Sequence, residues 1–264
     1  MFYLIEQSVF REVNEMTLMN SLDKLGLDYE VIQCPPFTTE LAFNTQRKDV
    51  FCFGSVKMAR LAARESFKPG SFYGGAHDFE VYRQYYKDNL LNGDCKIHNI
   101  SDILEWQPNE VKFIRPTKDS KLFNGQLFSQ VKWEDTQTSV LKYMEQSHVD
   151  ASGTIQVGEK KKIYKEARIW IVNGKIVTHS YYQFHNNYVF EPEVSQEGLD
   201  FAKQMVSLYQ VAPAFVMDIC LTPDGWRIVE INCVNCAGFY MGDLQKLLMA
   251  LEETFNETPI KNDN

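Results

Sequence analysis

The sequence FVMDICLTPDGWRIVEIN, from Phe215 to Asn232, has the pattern of two β-strands joined by a tight turn. Two runs rich in β-branched and aromatic residues flank a central Thr-Pro-Asp-Gly, which is the composition of a hairpin turn. If the connecting loop has an odd number of residues centred on Asp224, Asp218 lies directly opposite Glu230, and Asn232 follows on the same face. The stretch therefore predicts a hairpin that gathers two carboxylates and an amide at one end of a sheet.

The other face of this hairpin is apolar, and we expect it to look into the core. The carboxylate and amide oxygens suit Mg²⁺, which takes a few protein carboxylates and fills its remaining positions with water and substrate phosphates. A surface hairpin with two solvated acids is the alternative, and spacing alone does not separate the two. The predicted core face consists of Met217, Ile219, Leu221, Val229 and Ile231.

Composition places the chain among ordinary soluble globular proteins. It has 264 residues, of which 44% are hydrophobic and 23% charged, enough for one large domain or two small ones. The net charge of −8 argues against a general binder of nucleic acid or anionic membranes. No run approaches the roughly 18 apolar residues that span a bilayer. The first residues lack the basic region of a secretory signal, so we expect a cytoplasmic protein.

The six cysteines are scattered, and in a reducing compartment we expect them to be thiols. Cys233 and Cys236 form a CxxC motif with no second pair and no neighbouring histidine cluster. Zinc would require two further ligands. The motif therefore predicts neither a metal nor a redox site.

The first hundred residues alternate strands and helices, which predicts a small parallel sheet. Gly54 and Ser55 lie at a strand-to-helix turn, where backbone amides can hold an anion, although glycine is also common there for packing alone. The predicted strands are 2–6, 29–34 and 50–53, and the predicted helices are 12–25, 56–63 and 78–91.

A polar loop with Lys118 and Lys121 separates two further predicted strands, 111–115 and 126–131, and a helix is predicted at 133–148. Such a loop can close over phosphates, or it can be a plain hairpin connection. Arg115 lies inside the first strand, and an arginine near the core needs an anionic partner.

Asn173-Gly174 predicts a second hairpin, between strands 163–172 and 175–182. Glu166 and Arg168 share one face of it, either as a structural ion pair or as part of a site. The lysine run at 160–162 is interpreted as solvated surface, residues 186–196 as irregular, and 197–209 and 244–255 as helices. A two-residue turn predicts the pairs Arg168–His179, Glu166–Tyr181 and Trp170–Val177.

The order of these elements and charged residues resembles the ATP-grasp superfamily. It is most similar to a small clade, frequent in phage and bacterial genomes, with arginine at phosphate-facing positions where other members have lysine. The resemblance covers about residues 108–250. It rests on Phe113–Pro116 (FIRP), Lys121–Gly125 (KLFNG), Lys165–Arg168 (KEAR) followed by GKIV at 174–177, and Asp218 with Glu230–Asn232 (EIN).

The resemblance implies an α/β chain with the ATP-grasp fold, in which two α+β subdomains enclose ATP and an N-terminal pre-ATP-grasp α/β domain precedes them. The expected boundaries are 1–105 for the N-terminal domain, 106–157 for the central subdomain, 158–256 for the C-terminal subdomain and 257–264 for a polar tail.

In such proteins, the position of Arg115 binds nucleotide phosphates, which its planar guanidinium can contact in a bidentate manner. Lys121 corresponds to the flexible loop that closes over the nucleotide. Gln156, Val157 and Gly158 correspond to the hinge whose backbone meets adenine.

Further roles are implied for the second hairpin and the opening stretch. Glu166 corresponds to the acid that holds the ribose hydroxyls, and Arg168 to a group that reaches the γ-phosphate or an acyl phosphate. Asp218, Glu230 and Asn232 correspond to the ligands of Mg²⁺.

The implied function is an ATP- and Mg²⁺-dependent carboxylate–amine ligase that forms an amide or peptide bond through an acyl phosphate. Its substrates would be small molecules or peptides. The alternatives are an ATP-grasp kinase that phosphorylates a small acceptor, and a non-catalytic ATP-binding module. The loop at 233–240 departs from the family because it lacks the usual run of small residues and proline. Asn235, Tyr240 and His179 are the candidate substrate residues, and a packing role is the alternative for His179.

Overall fold

The structure is a computed structural model that describes residues 1–7, 9–10, 12–35, 38, 41–118, 122–147, 153–185 and 187–256. Among these residues, no helix is both long and apolar enough to cross a membrane. The helices are α1 (Glu12–Leu25), α2 (Val56–Glu65), α3 (Phe79–Tyr86), α4 (Gln130–Ser147), α5 (Gln196–Leu208) and α6 (Leu244–Phe255). The strands are β1 (Phe2–Glu6), β2 (Tyr29–Ile32), β3 (Val50–Phe53), β4 (Lys96–Asn99), β5 (Lys112–Pro116), β6 (Gln126–Phe128), β7 (Thr154–Glu159), β8 (Lys165–Val172), β9 (Lys175–Phe184), β10 (Asn187–Glu191), β11 (Ala214–Thr222) and β12 (Gly225–Cys233).

The N-terminal sheet is parallel, in the order β2-β1-β3, which confirms the βα prediction. The turn between β3 and α2 is closed by the protein itself. The Ser55 amide donates to the Glu6 carboxylate at 2.6 Å, and a Cβ at Gly54 would collide with the Met58 side chain. Gly54 is therefore required for packing, and the anion at this turn is Glu6.

The central sheet is antiparallel, in the order β4-β7-β5-β6, and α4 covers one face of it. Trp133 of α4 is buried against Ile114 and Phe128. The sequence did not predict β4, which pairs with β7 and lies before the boundary expected near residue 105. The strand predicted at 126–131 ends at Phe128, because α4 begins earlier than predicted.

The C-terminal sheet is antiparallel, in the order β10-β9-β8-β11-β12. One face packs on α6 and the N-terminal sheet, through Trp170 and Val216. The opposite face packs on α3 and α5, through Ile169 and Met217. Because both faces are covered, β8 and β11 are apolar almost throughout. The edge strand β10 occupies a segment that was predicted to be irregular.

The hairpin formed by β11 and β12 has the predicted pair Asp218–Glu230, but the predicted odd-membered loop is wrong. Thr222 pairs with Gly225 across a two-residue turn, and an extra residue, Val229, restores the predicted pairing further along. This β-bulge moves Val229 from the predicted core face to a cavity lined also by Glu230, and Ile228 takes its place in the core.

The hairpin formed by β8 and β9 has its predicted turn at Asn173-Gly174, yet the predicted pairs are wrong. Two irregularities add Val177 and Tyr182 to β9, and each shifts the register by one residue. Arg168 therefore pairs with Ser180 instead of His179, Glu166 with Gln183 instead of Tyr181, and Trp170 with Thr178 instead of Val177.

Candidate active site

A cavity of about 400 Å³ lies between the central and C-terminal sheets. Four residues predicted from the sequence line it together. They come from three strands, namely Arg115 of β5, Glu166 of β8, and Glu230 and Asn232 of β12. The cavity therefore joins the phosphate-binding, ribose-binding and metal-binding candidates in one place.

Arg115 and Glu230 form an ion pair that bridges the two sheets. The Arg115 Nη1 contacts the Glu230 carboxylate, and the side chains are 17% and 23% exposed. Gly125, in the loop before β6, packs against the Arg115 stem, where a Cβ would lie 3.0 Å from Cγ and Cδ. The anionic partner that the sequence required for Arg115 is thus Glu230.

Arg168 and Asp218 form a second ion pair, which lies behind the cavity wall. The two residues are directly opposed on β8 and β11, with 2.8 Å from Nε to Oδ1 and 2.7 Å from Nη2 to Oδ2. The third nitrogen, Nη1, donates to the Gly238 carbonyl at 3.1 Å. Burial alone lowers the pKa of Arg168, but the Asp218 carboxylate raises it further than burial lowers it. Both side chains are therefore charged and fully bonded.

Asn232 connects the two carboxylates of the predicted metal set. Its Nδ2 donates to Glu230 Oε1 at 2.7 Å and to Asp218 Oδ2 at 3.2 Å. Across the described part of the chain, no group of three or more His, Cys, Asp and Glu side chains could hold a metal ion. A metal site here would therefore depend on the Asn232 amide oxygen.

The donor set fits Mg²⁺ in chemistry, since it combines two carboxylates with an amide. Glu230 also faces the cavity in contact with a cation, the Arg115 guanidinium. Asp218 is 1% exposed and does not line the cavity, so Glu230 and Asn232 are its accessible members.

Glu166 is held by a residue that the sequence did not reveal. The Tyr182 hydroxyl donates to Glu166 Oε2 at 2.7 Å, and both residues line the cavity. Burial raises the pKa of Glu166, the Tyr182 hydrogen bond lowers it, and the Asp218 charge raises it. Tyr182 was missed because it is the extra residue at one of the irregularities in β9, for which periodicity gives no signal.

Lysines approach the cavity from two loops. Lys118 and Lys161 both line it, and Lys161 also pairs with Asp94. The interpretation of this part of the lysine run as solvated surface is therefore wrong for Lys161. Lys121 lies outside the described residues.

The predicted adenine hinge lies beside the cavity. Gln156 is buried and pairs with Arg115 in the ladder between β5 and β7. Val157 packs with the core beneath this sheet, opposite Ile114. None of Gln156, Val157 and Gly158 is among the cavity-lining residues, so their contact with adenine stays a prediction.

Asn235 has a structural position. Its side chain accepts from the Phe72 amide at 2.9 Å and donates to the Cys52 carbonyl at 2.6 Å, and the residue is 1% exposed. The proposed contact with substrate is not supported, because these bonds to the N-terminal domain already use the amide.

Tyr240 covers Arg168. The Arg168 guanidinium lies 4.8 Å from the centroid of the Tyr240 ring, which stacks on Tyr182 at 5.0 Å and on Phe190 at 5.5 Å. Tyr240 also has a φ of 47°, which is uncommon for a bulky residue. Tyr240 thus lies beside the site, where Phe190 joins it from β10, and its contact with substrate stays a prediction.

His179 is not brought to this site. It lies opposite Ile169, and its Nδ1 contacts the Pro192 carbonyl at 3.0 Å. Burial lowers its pKa. It lines a separate cavity of about 440 Å³ with Glu193 and Lys246, which removes the reason for placing it beside Arg168.

Comparison with known proteins gives a family and several similar folds. Residues 73–251 match a family model described as an ATP-grasp domain, the third family of its clade. The D-alanine–D-alanine ligase of Bacillus anthracis, solved with ATP, is 13% identical with a TM-score of 0.59, over 96% of this chain and 97% of that chain. The L-amino acid ligase of Bacillus licheniformis is 11% identical with a TM-score of 0.58, over 96% and 74%.

D-cycloserine synthetase DcsG is 12% identical with a TM-score of 0.56, over 96% of this chain and 98% of that chain. A comparison with curated proteins gave no match. At these identities the likeness to solved structures concerns the fold, and it confirms the ATP-grasp fold predicted from the sequence.

Proposed function

Because this chain belongs to the ATP-grasp family, we propose that it is an ATP- and Mg²⁺-dependent carboxylate–amine ligase. The observation that supports this most strongly is the convergence of Arg115, Glu166, Glu230 and Asn232 on one cavity between two sheets. The similar folds of ligases that act on amino acids agree with this reaction class.

In this proposal the nucleotide lies in the cavity with its ribose at Glu166 and its phosphates at Arg115. An ionised Glu166 accepts hydrogen bonds from ribose hydroxyls, while Tyr182 fixes its second oxygen. Arg115 donates two parallel hydrogen bonds to phosphate oxygens, which a lysine in its place could not do. Lys118 and Lys161 add positive charge at the same cavity.

Glu230 and Asn232, with Asp218 behind them, would hold Mg²⁺, which supplies charge neutralisation for the phosphates. Asn232 orients both carboxylates through its amide nitrogen. Arg168 acts from behind on Asp218, whose two oxygens it fixes. Direct contact of Arg168 with a phosphate would require displacement of Tyr240.

The proposed chemistry needs no protein nucleophile. A substrate carboxylate oxygen attacks the γ-phosphorus of ATP, which releases ADP and leaves an acyl phosphate. An amine nitrogen then attacks the acyl carbon, phosphate leaves, and the amine loses a proton. The residues named above contribute by positioning the reactants and stabilising charge. A cavity between two sheets also shields the acyl phosphate from water.

Calorimetry of Mg²⁺–ATP binding tests the nucleotide site. We expect Glu230→Gln to weaken binding at least about tenfold, the effect of about 1.4 kcal/mol. Lys112→Gln is the matched control, since Lys112 is also on β5 but pairs with Glu110 away from the cavity, and it should leave affinity unchanged. Equal affinities for wild type and Glu230→Gln would show that the metal assignment is wrong.

A further inference from the structure

The two arginine–carboxylate pairs of the site differ in their freedom to separate. The side chains of Arg168 and Asp218 are 9% and 2% exposed, and the pair uses two hydrogen bonds within one sheet. The side chains of Arg115 and Glu230 are 17% and 23% exposed, and they join different sheets across the cavity. Only the second pair is open to ligands entering the cavity.

Each member of the open pair occupies the place of the other's proposed ligand. Glu230 holds a guanidinium where it would hold a divalent cation, and Arg115 holds a carboxylate where it would hold phosphate oxygens. We infer that Arg115 and Glu230 form an exchangeable pair that makes the site selective for the metal–nucleotide complex over free metal or free nucleotide. This inference rests on the proposed function.

A free divalent cation is disfavoured by this arrangement. To bind Glu230 it must displace Arg115, which then stays in a partly buried cavity, without an anion and close to a second positive charge. Separating a partly desolvated pair leaves both charges uncompensated, so a cation alone recovers only half of what is broken.

Free nucleotide is disfavoured for the complementary reason. Its phosphates can take Arg115 only by releasing Glu230, and the released carboxylate then faces the phosphates in the same cavity. When cation and nucleotide enter together, Arg115 receives phosphate oxygens and Glu230 receives the cation. Each broken contact is then replaced, which is a positive coupling between the two ligands.

The buried pair is not expected to exchange. Asp218 has no access to the cavity, and the Arg168 donors are all used by Asp218 and the Gly238 carbonyl. The Tyr240 ring lies over the Arg168 guanidinium. Arg168 and Asp218 therefore form the fixed part of the site, and Arg115 and Glu230 the part that changes partners.

The test measures each ligand alone. Calorimetry with Mn²⁺ and no nucleotide should give about tenfold tighter binding to Arg115→Gln than to wild type, within the usual range of about 5- to 150-fold for coupled sites. Calorimetry with ATP in EDTA should give a similar gain for Glu230→Gln. Both variants should bind Mg²⁺–ATP more weakly than wild type, so each substitution has effects of opposite sign on the single ligand and on the complex.

A double variant separates exchange from general electrostatics. If Glu230→Gln improves binding of metal-free ATP by releasing Arg115, the gain should disappear in a background that already contains Arg115→Gln. A gain of equal size in that background would overturn the exchange, because it would show that removal of a negative charge suffices. Lys112→Gln again serves as the control, and thermal unfolding verifies that each variant is folded.

The outcomes distinguish the two proposals. If wild type does not bind Mg²⁺–ATP, the proposed function fails, and the inference fails with it. If wild type binds Mg²⁺–ATP but neither variant binds its single ligand more tightly, only the inference is overturned.

Discussion

Arg168 and Asp218 show how strongly burial affects the importance of one residue pair. Asp218 is 1% exposed, and both of its oxygens accept from the Arg168 guanidinium. Removal of the guanidinium would leave a carboxylate inside the sheet with only the Asn232 amide as a donor. Such a change is costly because the remaining charge has no route to water.

We therefore predict that Arg168→Gln lowers the free energy of unfolding by about 3–5 kcal/mol, the usual cost of breaking a buried pair. Urea denaturation measures this. Arg47→Gln is the control, since Arg47 and its partner Asp49 are each 40% exposed and such pairs contribute about 0–1 kcal/mol. A loss for Arg168→Gln no larger than that of the control would contradict the assignment of Arg168 as a buried structural charge.

Glu166 gives a prediction about pH. Burial raises its pKa above the ordinary value of 4.5, so the folded protein keeps this proton to higher pH than the unfolded chain does. The stabilising contribution of the bound proton is complete below the unfolded pKa and is lost as pH rises through the folded pKa.

The wild type should therefore lose stability relative to Glu166→Gln as pH rises above about 4.5, the unfolded value. The measurement is the difference between their free energies of unfolding across this range. A difference that is independent of pH, or that favours wild type as pH rises, would show that Glu166 is not a buried acid with a raised pKa.

Asn235 connects elements of two domains. It lies just after β12, yet its amide bonds to β3 at Cys52 and to the loop before α3 at Phe72. The backbone carbonyl of Asn235 also accepts from the Gly54 amide at 2.8 Å. These contacts attach the loop after the metal-ligand strand to the N-terminal domain, which explains a buried asparagine at a position expected to meet substrate.

We predict that Asn235→Ala costs about 2–4 kcal/mol of stability, because it leaves buried donors and acceptors without partners at about 1–3 kcal/mol each. Chemical denaturation gives the value, and Asn44→Ala, at an exposed hydrogen bond to Glu30, should cost less than about 1 kcal/mol. A loss of substrate affinity without a loss of stability would instead support the substrate role inferred from the sequence.

The same elements show what sequence can predict. Composition and period located both hairpins and their turns, because Asn-Gly and Pro-Asp-Gly have strong local preferences. The bulges at Val229 and along β9 have no such signal, because an extra residue is accommodated only by tertiary packing. The Asp218–Glu230 pair was predicted for the wrong reason, and His179 was placed wrongly, for this one physical cause.

At the scale of the whole molecule, the fold followed from the order of elements, and the cavity followed from the joining of two sheets. Sequence could identify Arg115 and Glu230 as site residues from their positions within apolar strands. It could not show that they contact each other, because β5 and β12 belong to different sheets and are far apart in the chain. The cover that Tyr240 provides for Arg168 is also a property of tertiary packing.

The most direct test of the proposed ligase follows oxygen atoms. The protein is incubated with ATP, Mg²⁺ and a pool of amino acids and short peptides whose carboxylates contain oxygen-18, and the released phosphate is analysed by mass spectrometry. An acyl phosphate transfers one carboxylate oxygen to phosphate, so we predict singly labelled phosphate and a new amide conjugate. Unlabelled phosphate from ATP consumption, or a phosphorylated acceptor without released phosphate, would contradict a carboxylate–amine ligase.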